Sequence, residues 1–258
     1  MSNLPTSSLV ALLSSPDPHE RDEIAYTELA RRIEGGDEDH ALARIGDLMA
    51  TRFSDSEIQV RTFAALMLAE VVDRDRITGL ASQSSVTRWR DAFAAWYRSE
   101  EDLRGWDDRL GWLHAVAHGA DALGAFGRSP RLDPDDLTGL LALGRDRLLT
   151  GTEVVFANQE DDRLAYAIAL VLTRQELEGH QITGWLEGIR VRFAARGGLP
   201  PEKEGQSRRG RPTRCAPCAC SISWLTGASV CRALRPADRS SPSATTSTCV
   251  PLWLKCSA

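Results

Sequence analysis

Residues 54–71 read SDSEIQVRTFAALMLAEV, and this stretch decides the fold. Ile58, Phe63, Leu66, Met67 and Val71 fall at helical rather than alternating spacing, the pattern of a helix with an apolar face. Ser54 or Asp55 supplies an oxygen that can cap the first free N–H groups.

Outward from there the same pattern runs from Leu4 to about Gly198 with few β-branched runs. Upstream, Asp17-Pro18 offers a cap followed by proline at the first helical position. It opens a helix through Ile24, Leu29 and Ile33 to Gly35-Gly36. A helix over about 37–52 carries Leu42, Ile45, Leu48 and Met49 on one face, and one over about 85–99 carries Trp89, Phe93 and Trp96. Downstream, Asp133-Pro134 opens a helix ending at Thr150-Gly151, and two more cover about 158–175 and 182–196. Gly197-Gly198 and Pro200-Pro201 close the pattern. Short links make neighbouring helices antiparallel, so residues 1–200 are expected to form an all-α domain. Its expected form is an irregular, solenoid-like array of antiparallel helix pairs. The competing architecture is a non-repeating bundle.

The body is acidic. Residues 205–258 carry eight Lys/Arg and one acid, a net +7 within a chain of −5, which leaves −12 on residues 1–204. That balance argues against a nucleic-acid partner, since phosphate binding draws on clustered Lys and Arg. No stretch approaches the ~20 unbroken apolar residues needed to cross a bilayer. The N-terminus lacks the basic start and long apolar run of a signal peptide, so a cytoplasmic protein without a membrane partner is expected.

Residues 201–258 read differently. All six cysteines lie there, at Cys215, Cys218, Cys220, Cys231, Cys249 and Cys256. Cys215 and Cys218 have the spacing of half a zinc site, but a second pair at that spacing is missing. A disulfide framework lacks other signs of an oxidising compartment. A plain Ser/Thr/Pro-rich disordered tail is one reading. A shifted reading frame is the other. Let each codon be composed of the third base of one written codon and the first two of the next. Cys and Trp codons, which begin TG, then become Leu, Val or Met. Cys249, Trp253 and Cys256 become apolar residues at i, i+4 and i+7, and Cys215 and Cys218 at i and i+3, both helical spacings. With permitted third bases the segment from Cys215 reads LRALRLLNQLAD and the end reads FLTVRDDLDVRTAVAEVLR. The tail is therefore expected to be disordered as written, and out of frame.

One helix carries chemistry. Residues 110–126, LGWLHAVAHGADALGAF, place His114, His118 and Asp121 within about 60° of arc. Trp112, Val116 and Leu123 lie opposite, as the expected core face. Ala115, Ala117, Gly119 and Ala120 are small enough to admit a neighbouring backbone or leave a groove. Histidines at i and i+4 can present two ring nitrogens to a divalent metal. Asp121 is placed to hydrogen-bond the His118 ring, and a third ligand would come from Glu101, Asp102 or Asp161-Asp162. The metalloprotease pattern needs Glu beside the first His, where Ala115 stands. Arg104 and Trp106 can line the same groove, or serve as a salt bridge and a packing anchor. The plainer reading of the histidines is a buried hydrogen-bond network without chemistry.

Three segments carry a resemblance: RDEIAYTELARRI at 21–33, EEDLRGW followed by GWLHAVAHGAD within 100–121, and DDRLAYAIAL at 161–170. With them the chain resembles the bacterial domain of unknown function family 2785 over about 17–196. The resemblance implies an all-helical bacterial cytoplasmic protein, and no activity. It also implies closing helices rich in Leu and Arg, which this chain lacks after about Gly205. Their loss would leave the 182–196 helix partly uncovered.

Two functions follow as expectations. The first is a helical binding or scaffolding module for a protein or small ligand, with Arg104, Trp106, His114, His118 and Asp121 at its groove. The second is a metal-dependent hydrolase holding its ion on His114 and His118. No phosphate loop, nucleophile elbow or dinucleotide fingerprint is present.

Overall fold

The computed structural model describes residues 4–152 and 154–195. The expectations for residues 201–258, disorder and a shifted frame, fall outside the described residues.

Within them the fold is all-α. Helix α1 (Thr6–Leu12) precedes a π-helical segment (His19–Tyr26) that runs directly into α2 (Thr27–Gly35). A 3₁₀ turn (Asp39–Ala41) leads into α3 (Leu42–Arg52), followed by α4 (Ile58–Thr78) and α5 (Gln83–Ser99). A two-residue hairpin of β1 (Trp106–Asp107) and β2 (Gly111–Trp112) interrupts the series. Helices α6 (Ala115–Arg128), α7 (Pro134–Leu148), α8 (Glu160–Leu172) and α9 (Gly179–Ala195) complete it.

Several termini follow their sequence signals. Asp133 caps α7 by accepting from the Asp136 N–H at 2.9 Å, Asp136 returns the bond, and Pro134 opens the helix. Ser82, a cap the sequence reading did not single out, caps α5 through the Ser85 N–H. At α4 the reading is corrected: the capping position is Glu57, and Asp55 accepts the Glu57 N–H from outside the helix.

Helix order translates into two layers. α2, α4, α6 and α8 pack against one another in succession, and so do α3, α5, α7 and α9. α3 on α4, α5 on α6 and α7 on α8 tie the layers together. This places α6 between α4 and α8 with α5 and α7 over one side. All its residues from Ala115 to Gly127 are buried except Asp121. Gly119 is what lets α5 close on it: a Cβ there would stand 2.1 Å from the Tyr97 ring. Val116, Gly119, Leu123 and Phe126 face the odd-numbered layer, with the Tyr97 hydroxyl donating to the Val116 carbonyl at 2.8 Å and Phe126 stacked on Phe93 at 5.6 Å.

Candidate functional site

Two expectations about the 110–126 segment are corrected. First, its helix begins at Ala115, not Leu110. The Asp107 carboxylate accepts the N–H groups of Arg109 and Leu110, turning the chain back, and Gly111 follows at φ +70°, a conformation that favours glycine. Trp112 is therefore on the hairpin and 37% exposed rather than in the core. Second, the histidine face is not a free surface. His118 is 4% exposed, because the even-numbered layer encloses α6 on that side too.

The fully buried Arg21, on the π-helical segment, fixes the hairpin. Its Nη2 donates to the Leu110 carbonyl at 2.7 Å, and its guanidinium lies 4.6 Å over the Phe63 ring. The Gly105 carbonyl accepts from the N–H of both Leu113 and His114, which seats His114 at the start of α6. There His114 adopts φ +48°, and Gln159, at the start of α8, adopts φ +64°. They are the two non-glycine residues with positive φ among the described residues, and both flank the same cluster. Sparsely populated backbone of this kind concentrates at functional sites, as π-helical segments do.

The cluster itself spans the even-numbered layer. The Tyr26 hydroxyl donates to Glu70 of α4 at 2.9 Å. His118 and Asp121 come from α6, and Arg163 of α8 pairs with Asp121, its Nε donating at 3.1 Å. Asp73 of α4 and Arg128 of α6 form a further pair in the row. The His114 and His118 rings lie 5.4 Å apart, and Phe63 meets His118 edge-on at 5.0 Å. Asp121 thus bonds Arg163 and not the imidazole it was expected to orient.

Burial sets the protonation. Desolvation first, and then the positive charge of Arg163, pushes the His114 imidazole down to about 4 and that of His118 well below its ordinary value. Both rings are neutral at pH 7. A bond to the Thr62 main chain opposes the shift at His118. Burial also pulls Arg163 down, to about 10, and raises the Glu70 carboxyl. The Nδ1 atoms of His114 and His118 are both buried without a protein hydrogen-bond partner.

At the surface the cluster opens onto aromatics. Trp112 stacks on His114 with centroids 4.4 Å apart and planes at 9°, and Trp106 meets Trp112 edge-on at 4.7 Å. Trp106 is 48% exposed, so it is not a packing anchor. Arg104 is the expected salt bridge, held by Asp102 at 2.6 Å and Asp107 at 2.7 Å. Two open depressions, of about 400 and about 230 Å3, are lined by Phe53, Arg61, Trp96 and Asp102 and by Tyr97, Arg147 and Arg192 respectively. Neither is lined by either histidine.

The metal expectation fares less well. Glu101, Asp102, Asp161 and Asp162 do not join the histidines. The carboxylate that approaches is Glu160, 3.8 Å from the His114 Nδ1 and held by the Asn158 N–H at 2.7 Å. Among the described residues no group of three His, Cys, Asp or Glu could hold a metal ion. The sequence reading missed Arg21, Tyr26, Glu70, Glu160 and Arg163. A signal was present, since Arg21 and Tyr26 stand in RDEIAYTELARRI and Arg163 in DDRLAYAIAL.

Fold and cluster define a two-layered helical protein with a polar row across one layer. The chain belongs to the family described as Protein of unknown function (DUF2785), whose model matches residues 51–208. The match takes in the 100–121 and 161–170 segments, whereas 21–33 precedes it. No curated protein and no solved structure matches the chain.

Proposed function

We propose that this protein is a helical-array binding module whose polar row on the α2–α4–α6–α8 layer, with the Trp106–Trp112 platform, takes up a small ligand that has a flat face. The observation that carries the reading is the buried pair His114 and His118 beneath the Trp112 indole. Their Nδ1 atoms are enclosed yet unbonded, directly beneath an exposed indole stacked on one of them. A buried polar atom left without a hydrogen bond costs about 1–3 kcal/mol. Exposed indoles offer a surface on which a planar group can stack. Stacked helix pairs commonly bind through one layer, which suits the solenoid-like reading of this array. A cytoplasmic setting belongs to the same proposal. It is supported by the lack, among the described residues, of any helix long and apolar enough to cross a membrane.

No observation favours the metal-dependent hydrolase. Its two histidines have the neutral state a metal requires, but the described residues supply no third ligand.

Ligand-detected NMR of the full chain against a library of small planar polar fragments tests the proposal. Binders are expected whose signals broaden with the wild type and with Trp185→Phe but not with Trp112→Ala. Fragments indifferent to Trp112, or an absence of binders, would refute it.

A further inference from the structure

Helix α9 has no fully buried side chain among the described residues. Ile182 and Trp185 of α9 pack towards the core, and the Trp185 indole donates to the Leu141 carbonyl at 2.8 Å. Leu186 and Phe193, two turns apart on one stripe, are 53% and 45% exposed, and Val191 is 51% exposed. The helix against which α9 packs is α7. A stacked helical array needs a terminal unit with a polar outer face, and here the last described helix presents apolar side chains instead.

A shifted reading of residues after about 205 supplies a candidate for the missing unit. The letters after about 205 differ from the body in charge sign and in holding every cysteine of the chain. In the frame one base earlier, the TG of each Cys or Trp codon becomes the end of a Leu, Val or Met codon. That change does not depend on the choice of third bases. It sets apolar residues at i, i+4 and i+7 where Cys249, Trp253 and Cys256 are written, and at i and i+3 where Cys215 and Cys218 are written. Two stretches holding apolar residues at helical spacing result, separated by about a dozen codons, which is room for one more helix pair. We propose that the gene's shifted frame encodes this pair, and that it packs on α9 over Leu186, Val191 and Phe193. Nothing in this inference depends on the ligand proposed above.

The coding DNA for residues 196–258 is the first test. The shifted frame is expected to be open throughout, and a stop codon inside it overturns the inference. The second test compares hydrogen exchange of the α9 amides in the full chain as written with that in a chain translated in the shifted frame after about residue 205. Exchange in Gly179–Ala195 is expected to slow by about tenfold or more once the pair is present. Unchanged exchange in α9 with an open frame would show that the segment does not cover this face, and would overturn the packing.

Discussion

Arg21 is the residue on which most of the candidate site hangs. It is fully buried, and it reaches from the π-helical segment to the carbonyls of Leu110 and Trp112. Arg21→Met keeps the apolar stem but leaves those carbonyls without their donor, so a loss of about 2–3 kcal/mol is expected in urea unfolding. Trp112 should also become more accessible to fluorescence quenchers. Gly119→Ala is expected to cost about 2 kcal/mol or more, since the added Cβ meets the Tyr97 ring between two packed helices. The histidines give a pH signature. Because His114 takes up its proton at about 4 when folded and near 6.5 when unfolded, the unfolded state binds more protons between those values. Stability is therefore full above about pH 6.5 and falls as pH drops towards 4, by about 2 kcal/mol at pH 5 from His114 alone. His118 adds in the same direction. In His114→Gln the decline between pH 7 and pH 5 should shrink, and an unchanged decline would mean the ring is not buried.

At the scale of single elements, what the sequence displayed was local. The Asp133-Pro134 cap, the apolar stripe of α5, that of α3 apart from Leu48, which is 42% exposed, and the run of α4 all follow from residues a few positions apart, and they were legible. Asp133→Ala is accordingly expected to cost about 1 kcal/mol by removing one side of a reciprocal cap, read as a shift in urea midpoint with unchanged slope. The hairpin was not legible. Its turn depends on Asp107 folding back on its own backbone and on Arg21, eighty-nine residues from the carbonyl it holds at Leu110. The histidine face was legible only in part. A helical wheel gives the angle between His118 and Val116 but not what stands on either side, and in a two-layered array both sides are covered. The same distance problem hid Glu160 and Arg163, which reach α6 from α8.

For the whole molecule, the packing order makes unfolding directional. α9 contributes no fully buried residue and lies at the end of the odd-numbered layer, whereas α4 and α6 are buried along most of their length. Amide exchange is expected to be fastest in α9 and slowest in α4 and α6, with the melt of the chain as written broad rather than sharp. Purified without a tag or chelator, the full chain should carry no stoichiometric metal, and His118→Ala should leave elemental analysis unchanged. Fold, site and proposal all rest on α6 being enclosed with its histidines held neutral inside. Long-range proton–nitrogen NMR of the imidazole rings, followed from pH 7.5 to pH 5, reads this directly. The His118 ring is expected to keep the nitrogen shifts of a neutral imidazole across the whole range. If it instead titrates near pH 6.5, as an exposed imidazole does, α6 lies open to water and the account fails.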